Sequence, residues 1–168
     1  MKVFYGGAIQ GNWDRSVRRH VHQSLIDEIK GAGYSMVSEH AKGSDFDETA
    51  GLLGEAFGEL PPKGPARTIF VRDKMIEFIE SDISAAVFEV SVPSLGTGIE
   101  IAHAYLRPRL GLAEIPLLML YEKGFWPNKL SSMVSGLSRE QYPNFHFREY
   151  ASLDEATGIL KEFLAELS

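Results

Sequence analysis

Glu100 closes the run Pro93-Ser94-Leu95-Gly96-Thr97-Gly98-Ile99-Glu100, which brings a hydroxyl, two glycines and a carboxylate together. An apolar run that reads as a buried strand precedes it, and a run that reads as a helix follows. These residues therefore fall at a strand-to-helix turn. Gly96 and Gly98 would let the backbone come close to a ligand, and a helix N-terminus offers N–H donors and a positive dipole end. Ser94 adds a hydroxyl and Glu100 a carboxylate. The combination suits a small anionic ligand with an acid aimed at it. The bland alternative is an ordinary turn whose Glu stabilises the helix dipole.

A second acid falls in the helix expected over 68–81. Ile69, Ile76 and Ile79 mark its apolar stripe, and Asp73 lies four residues after the first and three before the second, on the same expected face. An acid on an inward face is costly to bury unless it is paired or functional. Its structural alternative is an ion pair with Arg72 or Arg67. Glu89, late on a strand, reads mainly as a structural acceptor. Two carboxylates facing one cleft suit glycosidic chemistry, one attacking or stabilising the sugar and the other handling the leaving-group proton. No serine sits in a nucleophile-elbow pattern and no H-E-x-x-H occurs.

The elements that must position these groups alternate. Strands are expected over 3–9, 34–39, 83–91, 115–121 and 145–147, and helices over 14–30, 68–81, 97–108 and from Ser152 to Leu167. Ser152-Leu153-Asp154-Glu155 is a capping box. Five strand–helix alternations predict an α/β fold, an open parallel sheet of about five strands with helices on both faces. Ligands in such folds sit at the carboxyl ends of strands, near the switch point. The loop Gly6-Gly7-Ala8-Ile9-Gln10-Gly11-Asn12, His40 and the Ser94–Glu100 run all fall there. Ala8 occupies the place of the second glycine of a dinucleotide fingerprint, so the first loop is not one. Arg15, Arg18, Arg19 and His20 read as the solvated face of their helix. Residues 41–66, with many glycines and prolines and no sustained period, read as a lid or mobile loop. Lys129 to Gly136, rich in hydroxyls, reads as a short helix or turn.

The 168 residues are enough for one domain with a substantial core. A net charge of −6 argues against sequence-independent nucleic-acid binding but not against a nucleotide-sized ligand. The absence of cysteine excludes disulfides, Cys-ligated zinc and a thiol nucleophile. With no signal-like start and no apolar run of membrane length, the expected setting is cytoplasmic.

The run from Glu89 to Glu100 resembles the signature of the nucleoside 2-deoxyribosyltransferase superfamily, and within it most closely the 2'-deoxynucleoside 5'-phosphate N-hydrolases. Gly7 to Asn12 resembles their N-terminal Gly-Ser-Ile-Arg-Gly-Gly loop, Glu39-His40 their Glu-His, and Leu130-Ser131-Ser132-Met133 their Leu-Ser-Ala-Met. The resemblance implies a flavodoxin-like (Rossmann-like) fold and a homodimer with shared sites. It implies Glu100 as the nucleophile at C1' of the sugar and Asp73 as general acid or base-orienting group. Ser94 would bind the 5'-phosphate, with Ser131 reaching it from the neighbouring subunit. Gly7, Ala8, Ile9, Gln10, Gly11, His40, Gly96, Gly98, Ser132 and Met133 would line the substrate site. The substrate would be a nucleoside 5'-monophosphate or nucleoside, with no metal or organic cofactor. Ala8 and Gln10 depart from the family's Ser and Arg. The family's catalytic tyrosine aligns with Phe4, and Tyr5 serves only if the strand shifts by one. A transferase that exchanges bases and a nucleotide-binding module without turnover are the competing readings.

Overall fold

A computed structural model of the chain describes residues 1–8, 15–43, 46–125 and 130–167. Ile9, Gln10 and Gly11 lie outside the described residues. Five strands form one parallel sheet: β1 (Lys2–Gly7), β2 (Ser35–Met36), β3 (Ala85–Glu89), β4 (Leu117–Glu122) and β5 (Phe145–Tyr150). Their spatial order is β2-β1-β3-β4-β5. This is the flavodoxin order, whose switch point lies between β1 and β3. The expected open sheet with helices on both faces is thus what the chain forms.

Every residue of β3 is buried, as central parallel strands require when both faces are covered. Alternation sorts the side chains. Val3, Tyr5, Val87, Leu118 and Leu120 join a core beneath the helices α1 (Arg15–Gly31) and α6 (Leu153–Ala165). Phe4, Ala86, Phe88, Leu117 and Met119 join a second core under α3 (Pro65–Glu80) and α4 (Leu95–Tyr105). The capping box at α6 forms: Ser152 Oγ accepts from the Glu155 N–H at 3.2 Å, and Glu155 reaches back to the Ala151 N–H at 2.7 Å.

Several boundaries differ from expectation. The second strand shrinks to a two-residue edge, and His40 opens a single 3-10 turn (His40–Lys42). Residues 41–66 are not one long loop, because they include the helix α2 (Phe46–Phe57). Phe57 packs on Phe70 and Phe78 with ring centroids 6.3 and 5.1 Å away. Aromatic packing onto α3 and contact with the 3-10 turn override the low helix propensity of Gly51 and Gly54. α4 begins at Leu95, so Gly96 and Gly98 lie within its first turns rather than in a loop.

The arginine-rich start of α1 is not wholly a solvated face either. Arg18 is 3% exposed, turned inward toward Glu89 at the end of the central strand, while Arg19 and His20 are exposed. Nothing local in the sequence marks Arg18, since its partners come from strands far along the chain.

Candidate active site

Strand alternation decides what surrounds Glu100. On β1, Phe4 and Gly6 face α4, while Tyr5 and Gly7 face α1. A Cβ on Gly6 would sit 2.8 Å from Glu100 Oε2 and 2.7 Å from the Phe88 ring, so this position must be bare for the acid to lie over the strand end. A Cβ on Gly7 would meet the His22 ring at 2.5 Å on the other face. Each of the two consecutive glycines clears space on a different side of the sheet.

Glu100 is half-buried as a residue, with its carboxylate sunk against β1. Burial pushes its pKa up to about 8. The acid is therefore largely protonated at neutral pH. A group whose folded pKa is raised binds more protons folded than unfolded, so stability falls as pH rises between the two values. Gln in its place cannot ionise. The melting-temperature advantage of Glu100→Gln over the wild type is expected to widen from pH 5 to pH 8, where a constant gap would contradict the buried acid. Taking the difference between the two proteins removes the opposite contribution of buried histidines.

Ser94 caps α4, its Oγ accepting from the Thr97 N–H at 3.3 Å. The hydroxyl proton remains available to donate to an anion. A Cβ at Gly98 would meet nothing within 4 Å, and one at Gly96 only Ser94 Oγ at 3.8 Å. These positions leave a bare helix surface beside the cap.

Helical periodicity then separates the two flanks of α4. Ser94, Gly98 and Tyr105 line a cavity of about 600 Å³ with Leu130, Ser131 and Met133. Gly96, Glu100 and His103 fall on the opposite flank, toward α3. His103 Nδ1 lies 2.7 Å from Glu80 Oε1 of that helix. The cavity is thus not the pocket of Glu100, and Ser94 at the helix tip stands between the two. Ser131 caps the four-residue helix α5 (Ser132–Ser135), and with Ser132 and Met133 it is exposed. Met133 is 78% exposed.

Asp73 is not on the core face. Its side chain is 58% exposed and pairs with Arg72 at 2.8 Å, the alternative weighed from sequence, though at the surface. The buried face of α3 is Met75 and Ile79, whereas Ile69 is 62% exposed. The isoleucine stripe misled because Ile69 and Ile76 share a flank rather than the core face. Asp73 precedes Glu80 by seven residues, two helical turns, so both point to the same side. That side meets α4 at the Glu80–His103 contact. Asp73 therefore shares the flank of α3 that faces α4, seven residues before the Glu80–His103 contact.

Tyr5 does not join Glu100. The register pairs Tyr5 with Val87 and Gly6 with Phe88, without a shift. Its ring is fully buried on the α1 side, with the hydroxyl 2.7 Å from His22 Nδ1. Burial raises its pKa well above the ordinary phenol value. The His22 imidazole also hydrogen-bonds the Ala8 backbone, and burial lowers its pKa. A neutral ring offers one donor and one acceptor, matching these two partners. His40, buried and 3.1 Å from Ser38 Oγ, has its pKa pushed down to about 4 by burial and then by His22. It is a neutral histidine on the α1 side.

Glu89 is the structural acceptor expected from the sequence, but its partners are not legible there. Fully buried Glu89 accepts on Oε1 from Arg18 Nη2 at 2.6 Å, from the Tyr150 hydroxyl at 3.0 Å and from the Ser91 hydroxyl. Arg18 also pairs with Glu122 and stacks over Phe125 at 4.5 Å. Among the described residues no three acidic or histidine side chains gather as a metal site, and no helix is long and apolar enough to cross a membrane.

No protein-family profile matches the chain. Curated proteins do. A protein of Syntrophotalea carbinolica is 34% identical over 99% of this chain and 96% of its own length. One of Thermofilum pendens is 31% identical over 98% of this chain and 95% of its own. One of Nematostella vectensis is 26% identical over 99% and 95%. All three carry the provisional name 2'-deoxynucleoside 5'-phosphate N-hydrolase 1. The names of these relatives, together with a sheet in flavodoxin order, make the chain an open-sheet α/β enzyme of the N-glycosidase class. It belongs to the 2'-deoxynucleoside 5'-phosphate N-hydrolase family.

Proposed function

We propose that this enzyme hydrolyses the N-glycosidic bond of 2'-deoxynucleoside 5'-monophosphates, releasing free base and 2-deoxyribose 5-phosphate. The observation that carries the reading is Glu100, an acid held over Gly6 six residues along α4 from the Ser94 cap, whose carboxylate makes no hydrogen bond or ion pair among the described residues. A 5'-phosphate at Ser94 and the N–H groups of the first turn of α4 would hold the sugar over that acid. As substrate binds, Glu100 gives its proton up to solvent, and its carboxylate attacks C1'. The C1'–N bond breaks as the C1'–O bond to Glu100 forms, through an oxocarbenium-like state that a 2-deoxy sugar reaches readily. Asp73, on the flank of α3 that faces α4, would supply or orient the proton taken by the departing base. Water then attacks C1' of the glycosyl ester, passing its proton to Asp73, and Glu100 leaves as carboxylate. Tyr5 has no part in this, because its hydroxyl lies on the other side of the sheet.

The active form we propose is a homodimer. Leu95 is 92% exposed, Ile99 53% and Met133 78%, an apolar rim around the cavity beside α4. Apolar side chains bared around one groove mark an interaction surface. Ser131 stands on the flank of α4 away from its own chain's Glu100, so it serves more naturally in a neighbour's site. Leu95→Asp is expected to shift the sedimentation coefficient from dimer to monomer and to lower base release. An unchanged dimer would place the interface elsewhere.

The functional test is a panel of nucleoside 5'-monophosphates and nucleosides, with and without a second base, following released base. Base release from a deoxynucleoside monophosphate without acceptor is expected. Exchange that requires added base would make the enzyme a transferase, and binding without turnover would make it a nucleotide-binding module.

A further inference from the structure

The cluster around Glu89 stabilises the fold inefficiently. Buried ion pairs give back little beyond the cost of desolvating both charges. Here Arg18 Nε and Glu89 Oε2 are also buried without a hydrogen-bond partner among the described residues, which costs further. Its placement is more telling than its strength. Glu89 is the last residue of β3, paired in register with Gly7 of β1. Its Oε1 accepts from the Ser91 backbone N–H at 3.3 Å and from the Ser91 hydroxyl. That same hydroxyl oxygen accepts from the Glu122 N–H of β4 at 2.8 Å. Ser91 is thereby fixed at three points, to its own strand and to the next. Ser91 is 2% exposed and lies three residues before Ser94, the cap of α4. The cluster thus clamps the connection on which Ser94 and the first turn of α4 are mounted.

We propose that Glu89, acting through Ser91, is a positioning group. It sets where the Ser94 hydroxyl and the N–H groups of α4 stand relative to a bound 5'-phosphate. The inference rests on the phosphate seat proposed at Ser94, but it concerns residues that touch neither phosphate nor sugar. Arg18 and Tyr150 hold the carboxylate from α1 and β5, so the clamp ties the end of β3 to the helix above it and to the far strand of the sheet. Loosening it should be felt through the phosphate and not through the sugar or base.

Ser91→Ala in the full chain removes one oxygen and leaves the backbone free to fold. It is assayed beside the wild type on a deoxynucleoside 5'-monophosphate and on the matching nucleoside. For the monophosphate, KM is expected to rise about tenfold with kcat nearly unchanged, the effect of loosening one hydrogen-bonded anchor. KM for the nucleoside stays as it was. Glu89→Gln, which keeps an acceptor at the same place, should shift the monophosphate KM in the same direction by less. Equal losses on both substrates, or none on either, in a Ser91→Ala protein whose wild type is active would overturn the inference. If the wild type releases no base at all, the proposed function fails separately, and the clamp is read from calorimetric binding of inorganic phosphate. Weaker phosphate binding by Ser91→Ala would sustain it. Equal affinity, or no phosphate binding by the wild type, would overturn it.

Discussion

Glu100→Gln is expected to lower base release by a factor on the order of 10⁴ to 10⁶, the loss typical of removing a nucleophile, while the protein melts at the same or a higher temperature. The two halves of this expectation have one cause. The carboxylate lies against Gly6 with burial setting its pKa near 8, so the fold gains nothing from its charge. Gln has nearly the same shape, fits the same space and needs no ionisation. What it lacks is an oxygen able to form a bond to C1'. Released base is followed by chromatography and stability by thermal melting on the same preparation. A variant that keeps a tenth of the activity would remove Glu100 from the bond-making step. One that fails to fold would mean that Glu100 has a structural partner beyond those described.

The same acid makes the second large expectation unusual, because it concerns a residue with no side chain. Gly6→Ala should cost about 10²-fold in kcat/KM, as expected when a reacting group is displaced by about an ångström. It should also destabilise the protein by roughly 1–3 kcal/mol through overpacking. The added methyl would lie 2.8 Å from Glu100 Oε2 and 2.7 Å from a Phe88 ring carbon. Phe88 is fully buried and tilted against Phe4 at 5.8 Å, so it has little room to yield. Glu100, at the end of a longer side chain, moves instead. Gly7→Ala offers the comparison: its methyl meets His22 at 2.5 Å on the α1 face, so it should destabilise without a comparable change in how Glu100 is held. Equal activity losses from the two substitutions would mean that the strand end as a whole, and not the face beneath Glu100, governs catalysis.

These residues also mark how far sequence alone carries. Strand–helix alternation was enough for the sheet, because apolar runs such as Leu117 to Tyr121 have one natural home between layers of helices. The Ser94 cap and the position of Glu100 just behind it were legible for the same reason, since both follow from a local pattern. Faces were harder. Counting from Ile69 puts Asp73 inward, yet Ile69 is 62% exposed and the core face of α3 is set by Met75 and Ile79. Isoleucine spacing could not tell a core stripe from a flank that meets α4. Phe4 and Tyr5 show a sharper form of the same limit. Alternation requires them to face opposite ways, and the unshifted register puts phenylalanine, not tyrosine, beside Glu100's side of the sheet. The Arg18–Glu89 cluster was beyond reach. Arg18 meets Glu122 and Tyr150 across 104 and 132 residues of chain, and no local spacing encodes contacts of that range. Alone, an arginine on an arginine-rich helix reads as solvated.

The central claim is that Glu100 forms a bond to C1', and the stereochemistry of transfer to methanol tests it most directly. In mixed water and methanol, methanol competes with water for the sugar and leaves a methyl 2-deoxyriboside 5-phosphate whose configuration is fixed. Two displacements through Glu100 predict the β-anomer, with the configuration of the starting nucleotide retained. The α-anomer would mean that water or methanol attacks C1' directly and that Glu100 acts as a base, contradicting the covalent route.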